Sequence, residues 1–313
     1  MSVKVFIDGS SGTTGLRIAD RLAQRPEIEL LSISAEGRKD VNERARVINS
    51  ADLAFLCLPD AASKEVMPLL RSDVKVLDTS TAFRTDAAWD YGFPELAGQK
   101  EKIQKSYRVA VPGCYASGFI SIARPLVELG LAPADYPFSC TGISGYSGGG
   151  KKMIAEYESA DRPAHSKLDA PKSYGLGLAH KHLPEMQKIS GLAHTPMFVP
   201  VVCDYYCGMQ VLVPLDLTLA GSTAEQVAEV IAAYYKDAAT VKVHALNEAL
   251  PENGLYSNAM AGTDRMELYL TVNAAGDQMM LVSVFDNLGK GSSGAAVQCM
   301  NLMLGLEETE GLE

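Results

Sequence analysis

Cys114 is the residue in this chain whose surroundings point most directly to chemistry. It lies in the stretch Val-Pro-Gly-Cys-Tyr-Ala-Ser, residues 111–117, where Pro112 and Gly113 predict a turn and the apolar pattern that follows predicts a helix. Free N–H groups and the helix dipole at the start of a helix stabilise a thiolate. The stretch therefore favours a nucleophilic cysteine over the more common buried cysteine of a tight turn.

Two histidines, His180 and His182, lie close together in the chain and are candidate proton carriers for such a thiol. An imidazole that titrates near neutrality can take the thiol proton and later protonate an oxyanion. Side chains two residues apart do not share a helical face, so we expect one of the pair to face the thiol, with His180 slightly favoured. Glu185 is a candidate to orient the imidazole or bind the substrate. No metal site is expected, because the two histidines are not four residues apart as in helical zinc sites.

A glycine-rich stretch, residues 9–15, lies between a predicted strand and a predicted helix near the start of the chain. Glycines in such a turn let the backbone approach a diphosphate, whose charge then faces the N–H groups of the helix. The stretch therefore predicts a dinucleotide site rather than an ordinary turn. Its candidate contacts are Gly9, Ser10, Gly12, Thr13, Thr14 and Gly15.

The residues that follow the second predicted strand bear on the choice of dinucleotide. The carboxylate of Glu36 could hold a ribose diol, whereas Ser34, Arg38 and Lys39 could hold a 2′-phosphate. Two cations and a hydroxyl outweigh one carboxylate, so we expect NADP as the cofactor.

Short apolar runs in the first third of the chain predict β-strands, and helical patterns separate them. The runs cover residues 3–7, 27–34, 53–58, 74–78 and 107–111. Strands that alternate with helices predict an α/β fold with a doubly wound parallel sheet of the Rossmann type, whose ligand sites lie at the carboxyl ends of the strands. The glycine-rich stretch and Cys114 both fall at such ends.

The pattern changes after Pro112, where longer alternating runs predict a second, α+β region with a mixed or antiparallel sheet. Its predicted strands cover residues 138–145, 209–219, 266–272 and 279–285, together with a run from 197 onward. Its predicted helices cover residues 115–131, 224–235 and 294–306. The acidic residues 307–310 are expected to be frayed.

The composition limits the classes of protein to consider. The 313 residues suit two domains, and 47% apolar with 21% charged residues is typical of a globular protein. A net charge of −10 disfavours nucleic acid as a partner. We find no signal peptide and no apolar run of membrane-spanning length, so we expect no membrane partner and a cytoplasmic protein whose six cysteines are mostly reduced structural thiols.

Motifs along nearly the whole chain resemble those of the short-form N-acetyl-gamma-glutamyl-phosphate reductases of arginine biosynthesis, which are relatives of the aspartate-semialdehyde dehydrogenases. The motifs that carry this resemblance are residues 9–15 (Gly-Ser-Ser-Gly-Thr-Thr-Gly), 78–84 (Asp-Thr-Ser-Thr-Ala-Phe-Arg), 91–96 (Tyr-Gly-Phe-Pro-Glu-Leu), 111–117, 145–151 (Gly-Tyr-Ser-Gly-Gly-Gly-Lys), 180–185 (His-Lys-His-Leu-Pro-Glu), 287–294 (Asn-Leu-Gly-Lys-Gly-Ser-Ser-Gly) and 297–298 (Val-Gln). Together they are highly specific for that family.

The resemblance implies the reduction of N-acetyl-gamma-glutamyl phosphate by NADPH, with Cys114 as the nucleophile that forms a thioacyl enzyme. It implies that the histidine motif supplies the acid and base and that residues 147–151 lie near the cofactor and the substrate. Gly289 and Lys290, in the 287–294 loop, would lie against the nicotinamide. The implied domains are an NADP-binding domain of residues 1–113, completed by the C-terminal helix 290–313, and a catalytic and oligomerisation domain of residues 114–289 in a dimer or tetramer.

An acyl-phosphate substrate needs groups that bind its phosphate and carboxylate. The candidates are Ser80, Arg84, Ser147 and Lys151. The chain departs from the longer members of the family after Pro200, where those have a histidine and an arginine. Two alternatives remain at this point: reduction of a homologous acyl phosphate (N-acetyl-aminoadipyl or aspartyl phosphate), and a dinucleotide-sensing protein without catalysis.

Overall fold

Two separate β-sheets organise the chain, and each belongs to its own structural unit. The computed structural model describes residues 2–313, apart from the side chain of Glu252. The first unit comprises the residues up to Gly113 together with Ser292–Leu312, and the second comprises Cys114–Gly291 together with Glu313. Within residues 2–313, none of the helices has both the length and the apolar character that crossing a bilayer requires.

The first unit contains a six-stranded sheet in which all neighbouring strands are parallel. Its strands are β1 (Val3–Asp8), β2 (Ile28–Leu31), β3 (Leu53–Leu56), β4 (Lys75–Asp78), β5 (Asp90–Tyr91) and β6 (Arg108–Ala110), in the order β2-β1-β3-β4-β6-β5. All four residues of β3 are buried, as expected for a parallel strand covered on both faces. The predicted Rossmann-type sheet is confirmed, and β5 is a strand that the sequence pattern did not predict.

Five helices accompany this sheet: α1 (Thr13–Leu22), α2 (Val41–Asn49), α3 (Asp60–Val66), α4 (Gln99–Lys105) and α10 (Gly294–Leu304). The last of these comes from the end of the chain, yet Ala296, Val297 and Met300 lie in the same apolar core as Ile18 and Phe55. The predicted helix over 294–306 therefore exists and ends two residues early. It is buried on nearly all sides, which explains its continuous apolar sequence.

The acidic residues after α10 are ordered, and the prediction that they are frayed is wrong. Glu308 is only 8% exposed. Its carboxylate accepts a hydrogen bond of 2.9 Å from Gln298 and pairs with Lys100 at 2.6 Å. The same Gln298 amide donates to Glu95 at 2.8 Å. These partners lie far away in the sequence, so a local pattern of acidic residues could not reveal them.

The second unit contains a seven-stranded sheet of mixed direction. Its strands are β7 (Ser139–Gly145), β8 (Lys172–Ser173), β9 (Met197–Cys203), β10 (Met209–Asp216), β11 (Val241–Val243), β12 (Met266–Val272) and β13 (Gln278–Phe285), in the order β11-β12-β13-β10-β7-β9-β8. Neighbouring strands are antiparallel except for the β7–β9 and β11–β12 pairs. The expectation of a mixed or antiparallel sheet is confirmed in its mixed form.

Helix α5 (Cys114–Glu128) packs on this sheet and is the longest helix among the described residues. At Gly118 an added Cβ would lie 2.6 Å from Val211 and 2.9 Å from Phe285, so glycine permits the close approach of helix and sheet. Pro125, inside the helix, cannot donate to the carbonyl of Ser121. The Tyr235 hydroxyl donates to that carbonyl at 2.7 Å instead. The remaining helices of this unit are α6 (Gly150–Tyr157), α7 (Leu183–Ser190), α8 (Leu217–Ala220) and α9 (Ala224–Tyr234).

Candidate active site

The glycine-rich turn between β1 and α1 has a conformation that requires glycine. Gly9 has a φ of 91°, and an added Cβ there would collide with the carbonyl oxygen of Cys57. An added Cβ at Gly15 would collide with the carbonyl oxygen of Gly9. Gly12, the N-cap of α1, offers no side-chain acceptor to the first N–H groups of the helix. An anion can therefore approach the N-terminus of α1 and accept from these groups.

A cleft of about 380 Å³ lies beside this turn, at the carboxyl ends of β1 and β2. Ser10 from the turn, Ser32 after β2 and Arg38 line it. The Ser34 hydroxyl accepts the N–H of Gly37 at 3.0 Å, and this bond fixes the exposed turn that carries Arg38 and Lys39. A glycine cradle, an open helix N-terminus and nearby cations are the donor set that a dinucleotide requires, so these residues fit the predicted cofactor.

A buried ion pair supports the turn, and the sequence analysis missed it. Asp8, the last residue of β1, is 4% exposed, and the Arg44 guanidinium on α2 donates to its carboxylate at 2.8 Å. Burial raises the pKa of Asp8, and the Arg44 charge opposes that rise. The only sequence signal was an acidic residue between an apolar strand and a glycine turn.

The remaining residues predicted in the first unit hold its loops together. The Thr14 and Ser292 hydroxyls lie 3.0 Å apart, whereas Thr13 has its place in the first turn of α1.

The Ser80 hydroxyl donates to the Asp78 carboxylate at 2.6 Å. Arg84 donates to the carbonyl oxygens of Val111 and Thr79, both at 2.9 Å. Both side chains thus order the loop after β4, and their contact with substrate stays a prediction.

Cys114 is the first residue of α5, as predicted, and its side chain is half-buried. The backbone of Gly291 lies against it, because an added Cβ at Gly291 would be 2.9 Å from the Cys114 Cβ. Gly291 belongs to the π-helical turn Gly289–Ser293, a rare conformation that recurs at functional sites. Gly291 therefore allows a backbone segment to pass beside the Cys114 side chain.

The next residue, Tyr115, connects the start of α5 to both histidines. Its ring is buried against Gly142, where an added Cβ would collide with the ring carbons. The ring centroids of Tyr115 and His180 are 5.9 Å apart, and those of Tyr115 and His182 are 6.1 Å apart. The fold therefore brings the predicted cysteine and histidine motifs together, with Tyr115 as the common neighbour.

His180 is an aromatic-enclosed histidine in its neutral form. Phe198 and Tyr174 flank its ring at centroid distances of 5.1 and 5.9 Å. Burial, helped by the charge of Lys181, lowers its pKa to about 4. Its Nδ1 accepts the backbone N–H of His182 at 3.2 Å, so the neutral ring carries its proton on Nε2. The expectation of a ring titrating near neutrality is wrong for His180, because local sequence does not show its enclosure.

His182 and Glu185 lie at the start of α7, and both are buried, with exposures of 5% and 2%. His182 is the N-cap of the helix, and Pro184 occupies its first turn, where a missing N–H costs no hydrogen bond. Pro184 therefore suits the start of a helix. The rings of His180 and His182 meet edge to face with centroids 4.7 Å apart, so the two histidines form one cluster.

A second cluster surrounds Ser147, in the turn after β7. Its hydroxyl is 1% exposed and accepts from the Asn287 amide at 3.0 Å. The oxygen of the same amide accepts the Gly208 N–H at 2.8 Å. Asn287 was part of a recognised motif, but its bridging role was not predicted, because Gly208 and Ser147 are distant in sequence.

Lys151, predicted to bind the substrate, and Gly289 and Lys290, predicted to contact the cofactor, differ in their surroundings. Lys151 is exposed in the first turn of α6, whereas Lys290 is 2% exposed within the π-helical turn. Gly289 lies so close to the Thr263 carbonyl that a side chain would not fit. Across residues 2–313, we find no group of three or more His, Cys, Asp or Glu side chains arranged to hold a metal ion.

Comparison with known proteins places these features in a family. Residues 4–106 match the family described as semialdehyde dehydrogenase, NAD binding domain, and residues 114–287 match semialdehyde dehydrogenase, dimerisation domain. An N-acetyl-gamma-glutamyl-phosphate reductase of Trichormus variabilis is 46% identical over 99% of both chains. One from Burkholderia cenocepacia is 47% identical over 96% of this chain and 97% of its own. The chain belongs to the N-acetyl-gamma-glutamyl-phosphate reductase family. As such it is an oxidoreductase that uses a nicotinamide dinucleotide.

Solved structures share the fold at much lower sequence identity. Aspartate semialdehyde dehydrogenase II of Vibrio cholerae superposes with a TM-score of 0.71 at 18% identity, covering 97% of this chain and 99% of that one. The enzyme from Francisella tularensis gives 0.71 at 14% identity, covering 96% and 100%. The resemblance that the sequence motifs indicated is confirmed.

Proposed function

We propose that this protein reduces N-acetyl-gamma-glutamyl phosphate with NADPH, releasing phosphate and N-acetylglutamate semialdehyde in arginine biosynthesis. The observation that carries the proposal is the position of Cys114 at the start of α5, next to the Tyr115 ring that contacts both histidines. The names of the relatives support the same substrate. We assign dinucleotide binding to residues 1–113 with 290–313, and catalysis and oligomerisation to residues 114–289.

The first unit would hold the dinucleotide. Its diphosphate would accept from the N–H groups of the turn at residues 9–15, including those of Ser10, Thr13 and Thr14. Arg38 lines the neighbouring cleft, and with Lys39 and Ser34 it is our candidate for the 2′-phosphate of NADP. We assign Gly289 and Lys290 to the nicotinamide end. When bound, NADPH supplies the hydride for the reduction.

The side chains of the second unit would carry the covalent chemistry. The Cys114 thiol gives its proton to His182, and the sulfur attacks the acyl carbon. The bond from that carbon to the phosphate oxygen breaks, phosphate leaves with the electron pair and takes the proton from His182, and a thioester remains. His180 presents an Nε2–H and stays neutral, so it donates to the acyl oxygen as negative charge develops there. After the reduction, collapse of the tetrahedral adduct returns the electron pair to sulfur and releases the aldehyde.

The anionic groups of the substrate need cations outside this cluster. Lys151 is exposed at the start of α6, directly after the turn that Ser147 anchors, and we assign it to the substrate. Glu185 is buried in the first turn of α7, three residues after His182, and would orient that imidazole. Ser80 and Arg84 would act mainly by ordering the loop after β4.

The reaction is tested with purified protein, NADPH and three acyl phosphates: N-acetyl-gamma-glutamyl, N-acetyl-aminoadipyl and aspartyl phosphate. We expect NADPH oxidation with the first, and none in Cys114→Ser, because a serine hydroxyl without strong activation is a poor nucleophile. Unchanged NADPH binding by Cys114→Ser is the control for folding. Turnover that prefers another acyl phosphate would change the substrate, and activity in Cys114→Ser would refute the thioacyl route.

We further propose that the protein is a homodimer in the cytoplasm. Met197 and Val199 alternate with the buried Phe198 along β9, and they make one face of this strand apolar and exposed. Such a face favours self-association. A thiol nucleophile together with five other free cysteines suits a reducing compartment.

A further inference from the structure

The two histidines of the site lie at the end of a long irregular segment. Residues 158–182 join α6 to α7, and their regular structure consists of a short 3₁₀ turn, Lys167–Asp169, and the two residues of β8. Within residues 158–170, Leu168 is the one buried residue. Ordering a connection of this length costs much conformational entropy, and because few of its side chains are buried, polar contacts must supply much of the stabilisation.

Arg162 supplies the main polar contacts of this segment. Its two terminal nitrogens donate to the two carboxylate oxygens of Asp204, at 2.9 and 2.5 Å. The guanidinium also pairs with Asp169 and donates to the Tyr157 carbonyl at 3.1 Å. Its side chain is 18% exposed. A planar guanidinium that satisfies two carboxylates and a carbonyl fixes the direction of the chain, which a single lysine contact would not do.

The other partner, Asp204, opens the loop that follows β9. The next residues of this loop hold the end of β7, since the Tyr205 carbonyl accepts the Tyr146 N–H at 2.9 Å and the Tyr206 carbonyl accepts the Ser147 N–H at 3.0 Å. Beyond them, Gly208 is bound by Asn287. Asp204 is therefore attached to the same loop that shapes the Ser147 cluster.

The segment returns from Arg162 to the histidines through one short strand. β8 pairs with β9 through Lys172 and Ser173, and the Tyr174 N–H donates to the Pro200 carbonyl at 3.1 Å. The ring of Tyr174 then packs against His180. The 158–182 segment is therefore attached to β9 at two points. Arg162 binds Asp204, the residue directly after β9, and β8 pairs with the backbone of β9 itself.

We propose that Arg162 is a positioning residue for catalysis, which holds the 158–182 segment and the 204–208 loop in register so that His180 and the Ser147 turn keep their places. The proposal rests on the proposed function for its catalytic readout. Arg162 touches none of the reacting groups and acts through the two segments that it joins.

The test compares Arg162→Gln, Arg162→Lys and Asp204→Asn with a matched control, Arg46→Gln. Arg46 also makes a two-pronged ion pair, with Glu43 at 2.6 and 2.8 Å, but both residues lie on α2 in the first unit. We expect kcat to fall at least 10-fold in Arg162→Gln, with KM for NADPH within 2-fold of the wild type. Arg162→Lys should recover part of the loss, and Arg46→Gln should behave as the wild type.

The double variant Arg162→Gln/Asp204→Asn decides whether the two side chains act as a unit. We expect it to be little worse than Arg162→Gln alone, because the contact between Arg162 and Asp204 is already absent from that single variant. Losses that multiply, or a kcat within 2-fold of wild type in Arg162→Gln, would overturn the proposal.

Amide hydrogen exchange separates this proposal from the proposed function. Exchange at residues 172–174 should be at least 10-fold faster in Arg162→Gln and unchanged in Arg46→Gln. If the wild type shows no reductase activity, the proposed function fails. Faster exchange in Arg162→Gln that is confined to these residues and the 204–208 loop would still support a positioning role for Arg162. Unchanged exchange at residues 172–174 in Arg162→Gln would refute the positioning role, whatever the activity of the wild type.

Discussion

Burial gives His180 a chemistry that a histidine in water does not have. Three aromatic rings pack against its half-buried ring, and its pKa falls to about 4. At neutral pH the ring is therefore an N–H donor without charge, which suits an oxyanion that must form and collapse within one turnover. The backbone N–H of His182, two residues later, fixes the His180 ring, and we propose the His182 side chain for the proton-accepting role.

The lowered pKa of His180 makes a prediction about stability. Its folded value, about 4, is below the value of 6.5 for an unperturbed histidine, so the unfolded chain binds the proton more tightly. Protonation then favours unfolding, and this loss of stability grows as pH falls from 6.5 towards 4. We expect the Tm of the wild type to fall more than the Tm of His180→Gln when the pH is lowered from 7.5 to 5. The exposed His194→Gln is the control, and an equal shift in both variants would contradict the assignment.

The proposed preference for NADPH makes a second prediction at the scale of single residues. Replacing Arg38 and Lys39 together by alanine should weaken NADPH binding at least 10-fold and NADH binding much less, because contacts to a 2′-phosphate are charge-assisted. Fluorescence titration with both cofactors measures the two dissociation constants. Equal weakening of both would mean that these side chains do not contact the 2′-phosphate.

At the scale of elements, strand β7 and helix α5 are in close contact where Gly142 of the strand packs against the Tyr115 ring of the helix. This glycine leaves room for the Tyr115 ring, and the ring in turn contacts both histidines. A change in the strand should therefore reach the histidines by moving the ring, without altering any polar group.

Gly142→Ala should lower kcat by about 10-fold or more, because even a displacement of about 1 Å disturbs a catalytic arrangement strongly. Gly130→Ala is a useful control for general loss of stability, since nothing lies within 4 Å of an added Cβ there but its φ of 71° is strained. Steady-state kinetics and thermal denaturation of both variants provide the comparison. A kcat near wild type in Gly142→Ala would show that the Tyr115 ring does not position the histidines.

The elements show how far the sequence could lead. The parallel strands, the start of α5 and the β12–β13 hairpin were predictable because periodicity and turn residues are local signals. The Arg44–Asp8 pair, the enclosure of His180 and the Asn287 bridge were not, because each depends on residues brought together from distant parts of the chain. The proximity of the two histidines in the sequence identified them as candidates, whereas only the fold shows which nitrogen of His180 carries the proton.

At the scale of the whole molecule, the exposed face of β9 makes a prediction about assembly. Met197 and Leu219 are both 57% exposed, but Met197 lies on the sheet and Leu219 on α8. We expect Met197→Lys to halve the mass measured by light scattering, because a charge is costly in an apolar interface, and Leu219→Lys to leave it unchanged. A monomeric wild type, or a dimer that survives Met197→Lys, would place the interface elsewhere or exclude it.

The origin of α10 has a consequence for biosynthesis on the ribosome. The core around Ile18 and Phe55 needs Val297 and Met300, which are synthesised about 180 residues after Gly113. At a synthesis rate of ~5–20 residues per second, roughly 10–40 s pass between the synthesis of Gly113 and that of α10. During that interval the nascent chain exposes apolar surface that a chaperone can bind. The part that emerges first is therefore the part that finishes folding last.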